Sequence, residues 1–227
     1  MNSTASPPLA SVVVRTLGRP TLPRALASIA AQTHRPIEIV LVDAAGSGMK
    51  MSHYGNVAVR VVSRGEALDR PRAANAGLES ARGAWISFLD EDDEIAPGHL
   101  AQLLATAAVA GLPVAYSQTM LVETGRVFGG PFDRAVLLQS NYISIHAPAF
   151  HRSLVDSGAR FDESFTKFED WDFWLQLSRA TDFAFTGRPT ALYHAAVGAS
   201  GAGAGENLDR EMVLAQRNRL VQKWNRG

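Results

Sequence analysis

Residues 85–94 read Trp-Ile-Ser-Phe-Leu-Asp-Glu-Asp-Asp-Glu, a short apolar run that ends in five consecutive acidic side chains. The apolar part reads as a buried strand. Side chains alternate along an extended segment, so Asp90 and Asp92 point to one side and Glu91 to the other. Two carboxylates at a strand end are hard oxygen ligands, suited to Mg2+ or Mn2+, and such ions keep positions open for substrate phosphates. The chemistry implied is a metal-held diphosphate. The same residues also read as a solvated acidic turn ahead of a helix, favoured by the helix dipole.

A second acidic group, Glu169-Asp170, opens the aromatic stretch 168–180, FEDWDFWLQLSRA. Phe168, Trp171 and Trp174 would surround Asp170 with apolar surface, a setting that raises a carboxyl pKa toward that of a useful general base. Partnership with the helix dipole is the alternative for both acids. Asp172 lies roughly 200° around the helix from Asp170, so the two cannot serve one site equally.

These residues need elements to position them. Ser11–Thr16 reads as a first buried strand, Ile37–Val42 as a second ending in Asp43, Val57–Val62 as a third and Trp85–Leu89 as a fourth. Helices are expected at 22–32, 72–81, 99–110, 168–180 and 206–224, with strands at 114–118, 120–122 and 183–185. Gly198–Gly205 reads as a small-residue loop. Strands alternating with helices predict an α/β fold with a mostly parallel central sheet flanked by helices. Ligands then bind beyond the carboxyl ends of the strands, where Asp43 and Asp90 stand. Residues 1–8 read as a flexible tail and 9–227 as a single domain, in which about 9–110 is the nucleotide-binding half and about 111–227 the acceptor-binding half.

Composition removes several function classes. Apolar residues make up 46% of the 227 and charged residues 19%, as in an ordered α/β enzyme. Lys+Arg and Asp+Glu are 22 each, so no global basic field for nucleic acid exists. With no cysteine, thiolate zinc sites, iron–sulfur clusters and cysteine nucleophiles are excluded. No apolar run approaches the ~20 residues that span a bilayer, and the polar start lacks signal-peptide character, so a cytoplasmic protein is expected. The basic C-terminal helix, with Arg210, Arg217, Arg219 and Lys223, could rest on the inner face of an anionic membrane. Packing on its own domain with a solvated basic face is the reading preferred here.

Four segments, in order, resemble the family 2 glycosyltransferases, which have the Rossmann-like GT-A fold. They are Ser11–Thr16; Ser28-Ile29-Ala30-Ala31-Gln32-Thr33 with Glu38-Ile39-Val40-Leu41-Val42-Asp43; Asn75–Gly83 with Phe88–Asp93; and Phe161-Asp162-Glu163 with Glu169–Leu175. The resemblance implies a hexosyltransferase-type enzyme that uses Mn2+ or Mg2+ and takes its sugar from a UDP, dTDP or GDP donor. Its acceptor would be a saccharide or lipid-linked saccharide, in cell-surface polysaccharide or O-antigen assembly. It further implies that Thr16, at the end of the first strand, and Asp43 hold the nucleotide, that Asp92 and Asp90 serve the metal and ribose, and that Asp170 deprotonates the acceptor. Arg72 is expected near the ribose or diphosphate, with Asn75 tying down backbone. His194, close to the family's late histidine but two residues out of register, is a candidate metal ligand. Two departures concern the base: Ala44 replaces the family's second aspartate, and Leu17 stands where an aromatic is sometimes found.

Two further readings stand beside the transferase. Clustered carboxylates from Asp43, Asp90 and Asp170 would suit a metal-dependent phosphodiesterase or nuclease. Ala44 instead of an aspartate would suit a sugar-nucleotide-binding module without turnover. A sugar-nucleotide pyrophosphorylase would need a glycine-rich loop after the first strand, and 17–20 contains one glycine. His146 and His151 carry no assignment.

Overall fold

The computed structural model describes residues 6–196 and 209–225. The glycine-rich loop expected at Gly198–Gly205 and the expected helix start at Glu206 lie outside the described residues.

The elements run β1 (Ala10–Thr16), α1 (Leu22–Ala30), β2 (Ile37–Asp43), β3 (His53–Tyr54), β4 (Val57–Val62), α2 (Arg70–Ser80), β5 (Trp85–Asp90), β6 (Glu94–Ile95) and α3 (His99–Ala110). They continue with β7 (Val114–Leu121), β8 (Val127–Phe128), α4 (Arg134–Gln139), β9 (Pro148–His151), α5 (Arg152–Asp156), α6 (Glu169–Ser178), β10 (Ala184–Tyr193) and α7 (Arg210–Trp224). All strands join one ten-stranded sheet in the order β3-β4-β2-β1-β5-β9-β7-β10-β6, with β8 on β7. Neighbours β4, β2, β1 and β5 are parallel, the arrangement the alternating strands and helices predict. Beyond β5 the sheet is mixed: β9 is antiparallel to both β5 and β7, whereas β10 runs parallel to β7. The two short strands expected at 114–118 and 120–122 are one continuous β7, closed by a turn at Thr124-Gly125 onto β8.

The central strands are apolar almost without interruption because both faces are covered. Alternation sends Val12, Val14, Ile39 and Leu41 toward α1, and Val13, Val40 and Val42 toward α2 and α6. Several signature residues turn out to hold the frame rather than the site. Glu38 accepts from Ser11 Oγ (2.6 Å) and from the Arg82 amide (2.7 Å) at the amino end of the sheet. Gln32 donates to the Ala96 carbonyl (2.8 Å) and accepts from the Leu100 amide (3.1 Å), anchoring the start of α3. The Asn75 side chain grips both the amide and the carbonyl of Phe161 (2.9 and 3.0 Å), the backbone role expected of it.

Helix α2 lies flush on the sheet through Gly77. A Cβ there would sit 2.2 Å from Val13 Cγ1 and 3.3 Å from Val42 Cγ2. Its N-terminus is set by Asp69, whose carboxylate caps the Arg72 amide (3.0 Å), with Pro71 in the first turn. Gly77→Ala should therefore lower the unfolding free energy by about 1–3 kcal/mol, overpacking outweighing the gain of about 1 kcal/mol in helix propensity. Urea unfolding of the variant checks this, and an unchanged midpoint would mean that α2 rides looser than the contact demands.

Candidate active site

Strand β1 carries its one charged side chain just before its carboxyl end. Arg15 is 7% exposed and sits in register opposite Asp90 across the β1–β5 pair. Its Nε and Nη2 donate to the two oxygens of Asp90 (2.7 and 2.8 Å). Its Nη1 donates to Glu169 Oε1 (3.2 Å) and to the Arg70 carbonyl (3.4 Å). Burial works against the guanidinium charge, yet Asp90 and Glu169 hold its pKa above the ordinary arginine value. For Asp90 burial pushes upward, but Arg15 prevails and lowers its pKa, so Asp90 is a fixed anion already bound to a cation.

The acids that follow Asp90 diverge. Glu91 points away from Asp90 and Asp92, as the alternation suggested, yet not into solvent. It is buried, and it accepts from Thr16 Oγ1 (2.5 Å) and from the amides of Leu17 (3.0 Å) and Arg19 (2.9 Å). One carboxylate thus fastens the β1–α1 loop to the acidic turn. Asp92 remains open: it is 19% exposed, and the cation nearest its carboxylate, Arg19 Nη1, is 3.6 Å away. Burial, and then the charge of Asp90, raise its pKa. Asp93 is buried as well, receiving the His194 amide at 2.9 Å, with His146 Nδ1 at 3.4 Å. Burial drives its pKa well up, and burial also lowers that of His146 to about 4.

Two adjoining cavities meet at these residues, sharing Arg15, Arg70, Asp90 and Asp92 as walls. One, of about 450 Å3, runs over the ends of β1 and β2 and is lined by Thr16, Leu17, Arg19, Ala44, Leu68 and Asp69. The other, of about 420 Å3, opens toward the second half of the chain and is lined by Phe128, Asn141, His146, Phe168, Asp170 and Tyr193, among others. Each has the size of a small-ligand site. Leu17, 51% exposed, offers an apolar wall to the first.

Asp170 faces the second cavity from the first turn of α6. Its oxygens accept from the Trp171 amide (2.8 Å) and from Asn141 Nδ2 (3.1 Å). Burial and the adjacent Glu169 carboxylate push its pKa up to about 7, against the lowering pull of those donors and of Arg15. Phe168, just before it, adopts a left-handed conformation (φ 63°), uncommon for a bulky residue, and places its ring in the cavity wall. Trp171 and Trp174 are not an exposed stacking platform. Both are buried, and their indole N–H groups hold the Leu137 and Ile143 carbonyls (2.6 and 3.1 Å) behind the wall.

Three expected site residues lie elsewhere. Asp43 stands at the end of β2 as expected but lines neither cavity: it accepts from the amides of Ser47, Gly48 and Met49 and from the Ser47 and Ser63 hydroxyls, so it shapes its own loop. Burial opposes its ionisation, but those amide donors lower its pKa. Arg72 is half-buried and paired with Glu66 (2.6 Å), because α2 begins at Arg70, and it is Arg70 that reaches both cavities. His194 bonds Glu94 (2.7 Å) instead of joining Asp92. Since Asp43 does not converge with Asp90 and Asp170, the carboxylate set required by the phosphodiesterase reading is not assembled. Reasoning from sequence missed Arg15, Glu91, Asn141 and Arg70. A lone arginine inside a β-branched strand was the one available signal.

A divalent cation finds a partial site here. Among the described residues no three His, Asp or Glu side chains converge as a ready-made cage. Asp92 nevertheless presents an incompletely neutralised carboxylate where both cavities meet, and Asp90 adds oxygens already shared with Arg15. One or two carboxylates, with phosphate oxygens and water completing the shell, is how Mg2+ and its relatives are usually held.

A sequence profile described as glycosyl transferase family 2 matches residues 11–162. The chain belongs to glycosyl transferase family 2. It is 26% identical over 181 residues to the glycosyltransferase YwdF of Bacillus subtilis, covering 74% of this chain and 68% of that one. It is 30% identical over 178 residues to a PGL/p-HBAD biosynthesis glycosyltransferase of Mycobacterium tuberculosis, covering 73% and 68%. Similarity to the succinoglycan biosynthesis protein ExoO of Rhizobium meliloti, 32% over 142 residues, covers 60% of this chain and only 39% of the relative. Among solved structures, TarS 1–349 of S. aureus with UDP-GlcNAc superposes with a TM-score of 0.69 at 16% identity, over 95% of this chain and 71% of that one. The mannosyltransferase PcManGT of Pyrobaculum calidifontis, with GDP-Man and Mn2+, also gives 0.69, at 15% identity, over 97% and 65%. This family 2 glycosyltransferase therefore has the GT-A fold that its motifs imply.

Removing the guanidinium at the centre of the site would leave Asp90 and Glu169 buried without compensation. Arg15→Met should cost about 3–5 kcal/mol of unfolding free energy at neutral pH, read by urea denaturation. A loss below about 1 kcal/mol would show that the pair is solvated well enough to do without it.

Proposed function

We propose that the protein is a metal-dependent, inverting glycosyltransferase. It moves a sugar from a nucleoside-diphosphate donor to a hydroxyl of a saccharide or lipid-linked saccharide, in cell-surface polysaccharide assembly at the cytoplasmic face of the membrane. The observation that carries this reading is Asp170. It is a carboxyl with a pKa raised to about 7, standing in a cavity that shares its wall with Asp90 and Asp92.

The nucleotide lies in the cavity above β1 and β2, where Leu17 and Leu68 give apolar walls and Arg19 and Arg70 give positive charge. The donor half is thus built from about residues 9–110 and the acceptor half from about 111–227. Asp92, flanked by Asp90, would hold a divalent cation, which would supply charge neutralisation for the leaving diphosphate. Arg15 fixes Asp90 and lends positive charge to the junction of the cavities. Asp170, held by Asn141, takes the proton of the acceptor hydroxyl while that oxygen attacks the anomeric carbon. The carbon–diphosphate bond breaks on the opposite side, and one displacement inverts the centre. Positioning and preorganised charge do most of the work. The GDP-Man and UDP-GlcNAc bound by the similar structures, and the glycan-assembly names of ExoO and the mycobacterial relative, agree with this donor class and pathway type. Among the described residues no helix is long and apolar enough to cross a membrane. A module that binds donor without turnover would have no use for a base so placed.

Asp170 works only as the carboxylate. Its raised pKa means that kcat rises with pH and levels off above about 7. Asp170→Asn should reduce turnover by about 10²–10⁴-fold and remove that acid limb, with nucleotide affinity preserved. Turnover of the variant near wild type would end the general-base assignment. Calorimetry with UDP, dTDP and GDP should show binding of one nucleotide that needs Mn2+ or Mg2+ and is weakened at least tenfold in Asp92→Ala. Equal binding with and without metal would remove the cation from the mechanism.

A further inference from the structure

Helix α7 lies beyond the residues that the family profile matches, yet it touches the site region at two places. Near its start, Val213 lines the cavity that contains Asp170. Near its end, it grips the helix that carries Asp170. Asp172 on α6 is 0% exposed, and its carboxylate meets Lys223 Nζ at 2.7 Å and Trp224 Nε1 at 2.9 Å. Lys223 also reaches Asp162 (2.9 Å), and Arg219 donates to the Ser164 carbonyl (3.0 Å). The cations of Arg219 and Lys223 lie over the Phe165 ring at 5.2 and 5.3 Å. The helix packs on its own domain, as the preferred sequence reading had it, but Arg219 and Lys223 are turned onto the protein instead of forming a solvated basic face.

We propose that α7 is a clamp on the catalytic helix, in which Lys223 and Trp224 are positioning residues for Asp170, acting through Asp172. This rests on the reading of Asp170 as the base. Asp170 and Asp172 project on opposite sides of α6, so whatever holds Asp172 sets the rotation of the helix about its axis. A rotation of about 10° moves a side-chain oxygen by roughly 1 Å at the outer radius of a helix, and a misplacement of that size can cost about 10²-fold in rate. Helix α6 is short; its cavity side is held by Arg15 on Glu169 and by the Trp171 and Trp174 indoles, and the grip on Asp172 adds the restraint from the opposite side. The clamp is largely polar. Leu220 is the one fully buried apolar side chain that α7 contributes among its described residues; Trp224 packs partly buried on the same core, Arg217 donates to the Gln139 carbonyl (3.4 Å), and the ion pairs and hydrogen bonds named above do the rest.

The test is release of nucleoside diphosphate from the donor sugar nucleotide, with kcat and donor KM measured separately in the full chain. Trp224→Phe removes one hydrogen bond and keeps the ring. Lys223→Met removes the ammonium, and Lys223→Arg restores a cation. The expected result is a kcat reduced about tenfold in Lys223→Met and severalfold in Trp224→Phe. Donor KM should stay within twofold, and Lys223→Arg should recover most of the rate. Folded variants with wild-type kcat would overturn the proposal, and so would a parallel loss of donor affinity, which marks general loosening. If Lys223→Met does not fold, Trp224→Phe decides by the same criteria. Asp170→Asn serves as the separate control: if it is active, the base assignment fails, whereas if it is inactive beside a fully active Trp224→Phe and Lys223→Met, the clamp alone fails.

Discussion

A single buried guanidinium holds the site together. Arg15 joins the ends of two strands and the first turn of α6, and it does so with charge, in a place from which water is largely excluded. Such a group is tolerable only because two carboxylates face it. The consequence runs outward. Asp90 is pinned as an anion, Glu169 is drawn to the base of the cavity, and Asp170 is carried with it to the opening shared by the two cavities. The frame below needs no such charge, since β1, β2 and β5 bury both faces in apolar contact.

Around that centre, neighbouring carboxylates have been given different tasks by their surroundings. Asp90 is neutralised by Arg15, Glu91 is consumed by loop amides, Asp93 is buried against the β10 end, and Asp92 reaches the meeting of the cavities with its nearest paired cation 3.6 Å away. On α6, Asp170 looks into the cavity and Asp172 looks away from it. Separation of roles within a run of like charges follows from burial and from which hydrogen-bond donors lie within reach, not from residue type.

The parallel core and the strand-end acids were legible in the sequence because they depend on local periodicity. Apolar runs of strand length, broken by Gly or Pro and alternating with helical patterns, carry their own phase. The opposed directions of Asp170 and Asp172 were legible for the same reason. What could not be read depends on contacts between residues far apart in the chain. Arg72 was the arginine expected near the diphosphate, but the Asp69 cap sets where α2 begins, and it is Arg70 that reaches the cavities. Asp43 looked like a base contact, but the turn that follows folds its amides back onto it. For Glu91 alternation gave only a side opposite Asp90 and Asp92; its burial against Thr16 and the loop amides depends on the β1–α1 loop, distant in sequence. The α6–α7 contact joins residues about 50 positions apart, and no periodicity announces it.

The left-handed Phe168 has a mechanical meaning. A bulky residue in that conformation carries backbone strain of about 1–2 kcal/mol, kept in place by its neighbours. Its ring packs edge-on against Trp171 (5.7 Å between centroids) and forms part of the wall that a sugar would meet. The joint leading into α6 is therefore preloaded like a sprung hinge. Because that ring also stands in the cavity wall, the contact that helps keep Phe168 in place is itself part of the surface beside Asp170.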